Sequence, residues 1–268
     1  MRGIRVSIFF ILAITLFGCS KFRKIQKSPD WKVKYEAALQ YYEDEKYNKT
    51  TVLLEEILPI IRGTEEAELG NFYFAYAYYN QKQYILSAHH FLEFVTIYGR
   101  SEYVLEASYM QAYSLYLQSP DYQLDQTSTY EAIAAMQNFI NKYSTSEYAS
   151  DADKVIDELQ VKLETKAYHT AKLYHKLRRY KSALVAFKNF RNDYPDSDFN
   201  EEIFYLNIET SFDLAEASIS TKQEERYRST VTFYEEFIDK YPSSEFIKEA
   251  EKLYAKSIEE ITKFAGSK

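Results

Sequence analysis

"FVTIYGRSEY" (94–103), "FINKYSTSEY" (139–148), "FRNDYPDSDF" (190–199) and "FIDKYPSSEF" (237–246) are four versions of one phrase. Each reads aromatic, three variable residues, Tyr, a breaker, one residue, Ser, an acid, an aromatic. Counting back from the breaker slot gives a small residue at twelve and a large one at eight. The sets are Ser87/Phe91/Gly99, Ala132/Met136/Ser144, Ala183/Phe187/Pro195 and Thr230/Tyr234/Pro242, with a degenerate copy at Thr50/Leu54/Arg62. A small and a large apolar position four apart lie on one helix face, and a breaker stops that helix. The phrase therefore reads as the end of a repeated helix.

The partner helix is also legible. "LGNFYFAYAYYN" (69–80) sets Phe74, Ala75 and Tyr78 in apolar, small and aromatic slots, and Tyr84 opens the next helix after a turn. "YKSALVAFKNF" (180–190) follows "AKLYHKLRR" in the same manner. The small residue lets two antiparallel helices approach, and the large ones fill the groove between them. The pattern matches the A-x3-F…P half of the tetratricopeptide repeat. Phrase starts are 45, 51 and 47 residues apart, longer than the usual period of about 34. Two features lengthen the unit: an inserted loop, "LQSPDYQLDQTST" (117–129), and one long helix whose stripe holds Val155, Leu159, Leu163, Ala167, Ala171 and Tyr174. The expected fold is all-α, an α-solenoid of about five tetratricopeptide-like hairpins at 31–64, 65–101, 102–146, 147–197 and 198–268.

Composition agrees with helix. The 268 residues include 27 Tyr and 18 Phe but only six Gly and five Pro. So few glycines leave little scope for the turns of an all-β fold. A formal charge of −7 argues against nucleic acid as a partner, because phosphate contact needs a positive surface.

The N-terminus reads as an address. Arg2 and Arg5 precede an apolar run from Val6 to Phe17 that is too short to span a bilayer comfortably. Residues 1–18 are read as a secretory signal. "LFGCS" resembles the bacterial lipoprotein box, with Leu16, Gly18 and Cys19 in place and Phe17 bulkier than usual. Cys19 is the only cysteine, so no internal disulfide is possible. Lipidation of Cys19 after cleavage is expected, with 19–30 as a tether; stable anchoring needs more than one acyl chain. Ser20, not Asp, follows, and the next stretch is basic, which by resemblance to lipoprotein sorting favours the periplasmic face of the outer membrane.

No catalytic constellation stands out, and the chain is read as a non-enzyme. The glycines beyond the signal are Gly63, Gly70, Gly99 and Gly266, so no glycine-rich phosphate loop is present. His89 and His90 are adjacent and expected to point apart; His169 and His175 are six apart. No metal or cofactor site is expected. The strongest functional pattern is aromatic. The first helices of three hairpins carry Tyr35/Leu39/Tyr42, Phe72/Tyr76/Tyr79 and Tyr109/Tyr113/Tyr116, each at i, i+4, i+7. Aligned, they make a ladder of rings suited to an extended peptide. The alternative is that single rings pack between hairpins. The fourth hairpin has Tyr168, Lys172 and His175 in those places, with Arg178, Arg179 and Lys181 adjacent. Lys172, Arg178 and Arg179 are candidates for docking an acidic partner.

Lipobox, long hairpins and the motifs "YEAALQYYEDEKYNKT" (35–50), "FYFAYAYYNQKQYILSAHHF" (72–91) and "SPDYQLDQT" (119–127) together resemble the BamD family. These are lipoproteins of the outer-membrane β-barrel assembly machinery. The resemblance implies that the hairpins of 31–146 receive the aromatic-ending C-terminal signal of unfolded β-barrel clients. It implies that 147–268 binds the POTRA region of BamA, with no covalent chemistry. Two other readings share the repeat: a periplasmic lipoprotein coordinating cell-wall synthesis or division, and a nutrient-binding outer-membrane lipoprotein. Neither sustained heptads nor a large Trp-bearing loop, their respective marks, is present.

Overall fold

The computed structural model describes residues 21–266, so the signal and Cys19 lie outside the described residues. A helical turn at 21–26 precedes α1 (Trp31–Glu43), α2 (Tyr47–Ile57), α3 (Glu65–Asn80), α4 (Tyr84–Ile97), α5 (Val104–Gln118), α6 (Thr127–Lys142), α7 (Ala149–Lys176), α8 (Tyr180–Asp193), α9 (Asn200–Glu216), α10 (Ser220–Lys240) and α11 (Ile247–Gly266). No strand occurs among the described residues. The helices pair as the five hairpins the spacing predicts, α1/α2 to α9/α10; α11, inside the stretch expected as the fifth hairpin, is an additional helix. The chain divides into two compact units, and the division falls inside α7, between Leu159 and Gln160.

Each hairpin is held by the residues that define the repeat. Thr50, Ser87, Ala132, Ala183 and Thr230 are fully buried, as are Leu54, Phe91, Met136 and Phe187. Tyr234 departs from the set: it is half-buried and stacks on Tyr254 of α11 at 4.5 Å. The polar members of the small set find partners inside. The Thr50 hydroxyl donates to the Ala38 carbonyl at 3.3 Å, Ser87 and Ser114 share a 3.0 Å bond, and Thr230 donates to Ser211 at 3.1 Å. A buried hydroxyl left without a partner would cost about 1–3 kcal/mol.

The repeated phrase does more than end a helix. Its first ring is in the core: Phe94, Phe139, Phe190 and Phe237 are at most 4% exposed. The carbonyl of that ring accepts the last helical bond, from Tyr98, Tyr143, Tyr194 and Tyr241, at 2.8–2.9 Å. The Ser then turns the chain. Ser101, Ser197 and Ser244 each accept at Oγ from the backbone N–H two residues on, at 3.0–3.1 Å. Such a turn competes well with continued helix. Ser146 Oγ is buried with no partner. The closing aromatic starts the following helix: the carbonyls of Tyr103, Tyr148, Phe199 and Phe246 accept from Ala107, Ala152, Ile203 and Ala250 at 2.8–3.0 Å.

That closing ring also reaches back into its own hairpin. Tyr103 stacks on Phe72 at 4.7 Å, Tyr148 on Tyr109 at 4.7 Å, Phe199 on Tyr168 at 4.1 Å and Phe246 on Tyr205 at 4.9 Å. Each such pair contributes about 0.5–1.5 kcal/mol beyond its buried area. One phrase thus ends a helix, turns the chain, opens the next helix and clasps the hairpin it leaves.

Tight turns join the two helices of three hairpins. Glu45, Lys82 and Arg178 have φ of 58°, 59° and 56°. In each, the N–H of this residue and the next bond back to the last turn of the helix, at 2.7–3.0 Å, satisfying carbonyls that would otherwise be orphaned. In the third hairpin the inserted loop is ordered around Gln126. Its amide donates to the carbonyls of Asp121 (2.8 Å) and Leu124 (3.0 Å) and accepts from Thr129 (2.7 Å). Between the first two hairpins, Gly70 allows close approach: a Cβ there would stand 3.1 Å from Leu58 Cδ2 and 3.5 Å from Tyr35 Cε2.

Candidate peptide-binding surface

The three ladder positions have different fates. The first is structural. Phe72 is 6% exposed, in a cluster with Ala75, Phe91, Phe94, Ala107 and Met110. It was expected among the peptide-binding rings, but its faces are taken by Tyr103, Tyr76 and Phe91. Tyr109 is half-buried and lies between Tyr148 and Tyr113. Tyr35 is half-buried against the first core cluster and beside Gly70.

The second and third positions keep part of their surface. Tyr76, Tyr79, Tyr113 and Tyr116 are neither buried nor fully exposed. Their rings run in series: Tyr76 to Tyr79 at 6.2 Å, Tyr79 to Tyr113 at 6.5 Å, Tyr113 to Tyr109 at 5.6 Å and Tyr113 to Tyr116 at 5.4 Å. The run crosses from α3 to α5 within one unit. Tyr42 stands apart from it, tilted on Tyr73 at 4.5 Å and edge-on to Tyr47 at 5.5 Å. Leu39 is half-buried.

Two hydroxyls of the run are already committed. Tyr76 donates to Glu106, and Tyr116 donates to Glu158 at 2.7 Å. Burial and the Glu106 carboxylate push the Tyr76 phenol above its ordinary value. The Glu158 bond, with burial, pushes Tyr116 up to about 12; burial pushes Tyr42 and Tyr109 to about 12 as well. All therefore stay neutral near neutral pH. They offer ring faces and acidic edges, not phenolates. Glu106, Glu158 and Tyr73 were not singled out in the sequence, and Tyr148 only as the closing aromatic of its phrase; their neighbours across the hairpins show what they do.

The basic candidates behave otherwise. Lys172 is paired with Glu202 at 2.8 Å and donates to the Tyr168 hydroxyl at 2.7 Å. Burial works against its charge, but these two partners outweigh it and hold the ammonium above its usual value. Tyr168 is 5% exposed. His175 bonds Thr210 at 2.7 Å and lies 3.5 Å from Glu209. Thus α7 is tied to α9 at all three ladder positions, Tyr168, Lys172 and His175, of which Lys172 was expected to dock a partner. Arg178 and Arg179 are exposed at the left-handed turn, and Lys181 is exposed at the start of α8.

His89 and His90 do not diverge as their adjacency suggested. Both reach Glu93, at 3.5 and 2.9 Å. His90 is held on Tyr78 and Phe74, with ring centroids 5.1 and 4.6 Å away. That burial lowers its pKa, against the Glu93 carboxylate. The spacing of His89 and Glu93, four apart on a helix, was the available signal.

Comparison with known proteins fits this architecture. A family described as "YfiO: Outer membrane lipoprotein" matches residues 29–202, from the first hairpin into α9. An outer membrane protein assembly factor, BamD of Caulobacter vibrioides, is 29% identical over 113 residues, which is 42% of this chain and 37% of that relative. The chain thus aligns with well under half the length of that relative.

Proposed function

The chain belongs to the YfiO family of outer-membrane lipoproteins, and from that premise we propose that it is a non-catalytic assembly factor for outer-membrane proteins. Its signal is removed, Cys19 is acylated, and the body is held at the periplasmic face of the outer membrane. The first unit receives unfolded β-barrel clients through extended segments rich in aromatic residues. The second presents Arg178 and Arg179 to an acidic surface of the scaffold that inserts them, the POTRA region of BamA.

The observation that carries this reading is the run Tyr76–Tyr79–Tyr113–Tyr116, part-exposed and in register across two hairpins. Rings held by their own packing lose little entropy on binding and present large contact areas. The Tyr76 and Tyr116 hydroxyls are bound to Glu106 and Glu158, so at those two rings a client would be held by ring faces. Lys172, bound to Glu202, takes no part; the partner patch reduces to the exposed turn. The test is recovery of partners from detergent extracts with the full-length chain, together with binding of a barrel C-terminal peptide. Recovery of BamA, and a peptide affinity lost in Tyr79→Ala/Tyr113→Ala, supports the proposal. Recovery of peptidoglycan synthases instead, or unchanged peptide affinity, overturns it.

A further inference from the structure

Three side chains on α4 stand together without a role in the function above. His89 Nε2 and His90 Nδ1 lie 3.5 and 2.9 Å from the same oxygen of Glu93, Oε2. One donor atom from each of the three fits within 4.8 Å of the others. Two ligands about 2.1 Å from one ion are roughly 3.0 Å apart at a right angle and roughly 3.4 Å apart at the tetrahedral angle. The two observed separations are close to that range. His89 and Glu93 are four residues apart and share a helix face.

The third ligand is held in place. The His90 ring is nearly parallel to Tyr78, at 19°, and rests against Phe74. This leaves Nδ1 on Glu93, while its side chain keeps 20% exposure. His89 and Glu93 are open, at 60% and 51%, so their side chains have room to turn toward an ion. His90 and Glu93 also line a cavity of about 620 Å³ with Glu55, Arg62, Asn71 and Tyr98. An exchangeable fourth ligand, water or a partner's carboxylate, has room there.

We propose that His89, His90 and Glu93 form a surface site for one divalent transition-metal ion, zinc foremost. Two imidazoles and one carboxylate favour zinc over magnesium or calcium, which select oxygen ligands. All three ligands are on one helix, so the ion does not tie hairpins together. It places a Lewis-acidic centre at the mouth of a cavity in the first unit, on α4.

The test uses untagged full-length protein in detergent, stripped with a chelator and dialysed against zinc or cobalt(II). The result expected is about one equivalent of bound metal and a cobalt absorption band typical of nitrogen and oxygen ligands. His89→Gln and Glu93→Gln change exposed side chains and keep the fold, which circular dichroism verifies. Each weakens zinc binding by at least about tenfold, while His169→Gln leaves it unchanged. Absence of saturable zinc in the wild type overturns the proposal. So does wild-type affinity in both His89→Gln and Glu93→Gln.

Discussion

Hairpins two and three and hairpin four carry the same three helix positions and use them differently. In α3 and α5 the triplets are Phe72/Tyr76/Tyr79 and Tyr109/Tyr113/Tyr116; in α7 the triplet is Tyr168/Lys172/His175. The first position is alike in all: its ring is clasped by the closing aromatic of the phrase, Tyr103, Tyr148 or Phe199. The other two differ. In α3 and α5 they form a run of part-exposed rings, whereas in α7 they spend their polar groups on Glu202 and Thr210 of α9. Shared helix spacing therefore marks shared backbone geometry, not shared use. A position becomes available to a partner only where neighbouring helices leave it unspent.

The largest effect that would break this comparison concerns the first position. Phe72→Ala empties a buried ring site and should cost about 3–5 kcal/mol in denaturant unfolding. Tyr113→Ala, part-exposed, should cost less than about 1.5 kcal/mol. Equal losses for the two would mean that the triplet is uniform after all. Next in size is the binding effect: Tyr79→Ala/Tyr113→Ala should weaken a barrel C-terminal peptide by at least about tenfold. Lys172→Ala/His175→Ala should leave that titration unchanged. A loss in the second pair, read by fluorescence anisotropy, would erase the distinction between the hairpins.

Smaller effects sharpen the account of the phrase. Ser197→Ala and Ser244→Ala remove an acceptor from the turn and should each cost about 1 kcal/mol. Ser146→Ala should be nearly neutral, because that hydroxyl has no partner. Thermal unfolding of the three variants reads the difference, and an equal loss at Ser146 would remove the turn as the reason for the conserved letter within the repeat. The smallest effect is electrostatic. Burial opposes the charge of Glu202, but Lys172 and Tyr168 outweigh it and hold the carboxyl below its usual value. Its contribution is then present above the unfolded value of about 4.3 and lost as pH falls through the lower folded value. Glu202→Gln should cost about 0.5 kcal/mol at neutral pH after allowing for solvent screening, and the gap should close in acid. A gap that widens below pH ~4 would reverse the sign of that pairing.

Much of the fold was legible because helix repetition is a local signal. A small residue twelve and a large one eight before a breaker, and a ring five before it, report one helix face and one helix end wherever they recur. Phe91, Met136 and Phe187 were all correctly read as core. The site was legible only in outline. Spacing placed Tyr76, Tyr79, Tyr113 and Tyr116 on one stripe, but it placed Phe72 there too. It also set His89 and His90 apart when their rotamers turn both toward Glu93.

What the sequence by itself determined is where helices start, stop and pair, since these rest on hydrogen bonds and side-chain contacts within a few residues of one another. What only the tertiary structure decided is which rings and charges remain for a partner. That depends on groups some 30 or more residues away: Tyr103 over Phe72, Glu202 on Lys172, Glu158 on Tyr116. A stripe on a helix says which residues face the same way. Only the neighbouring helix determines whether that direction leads to core, to a carboxylate or to water.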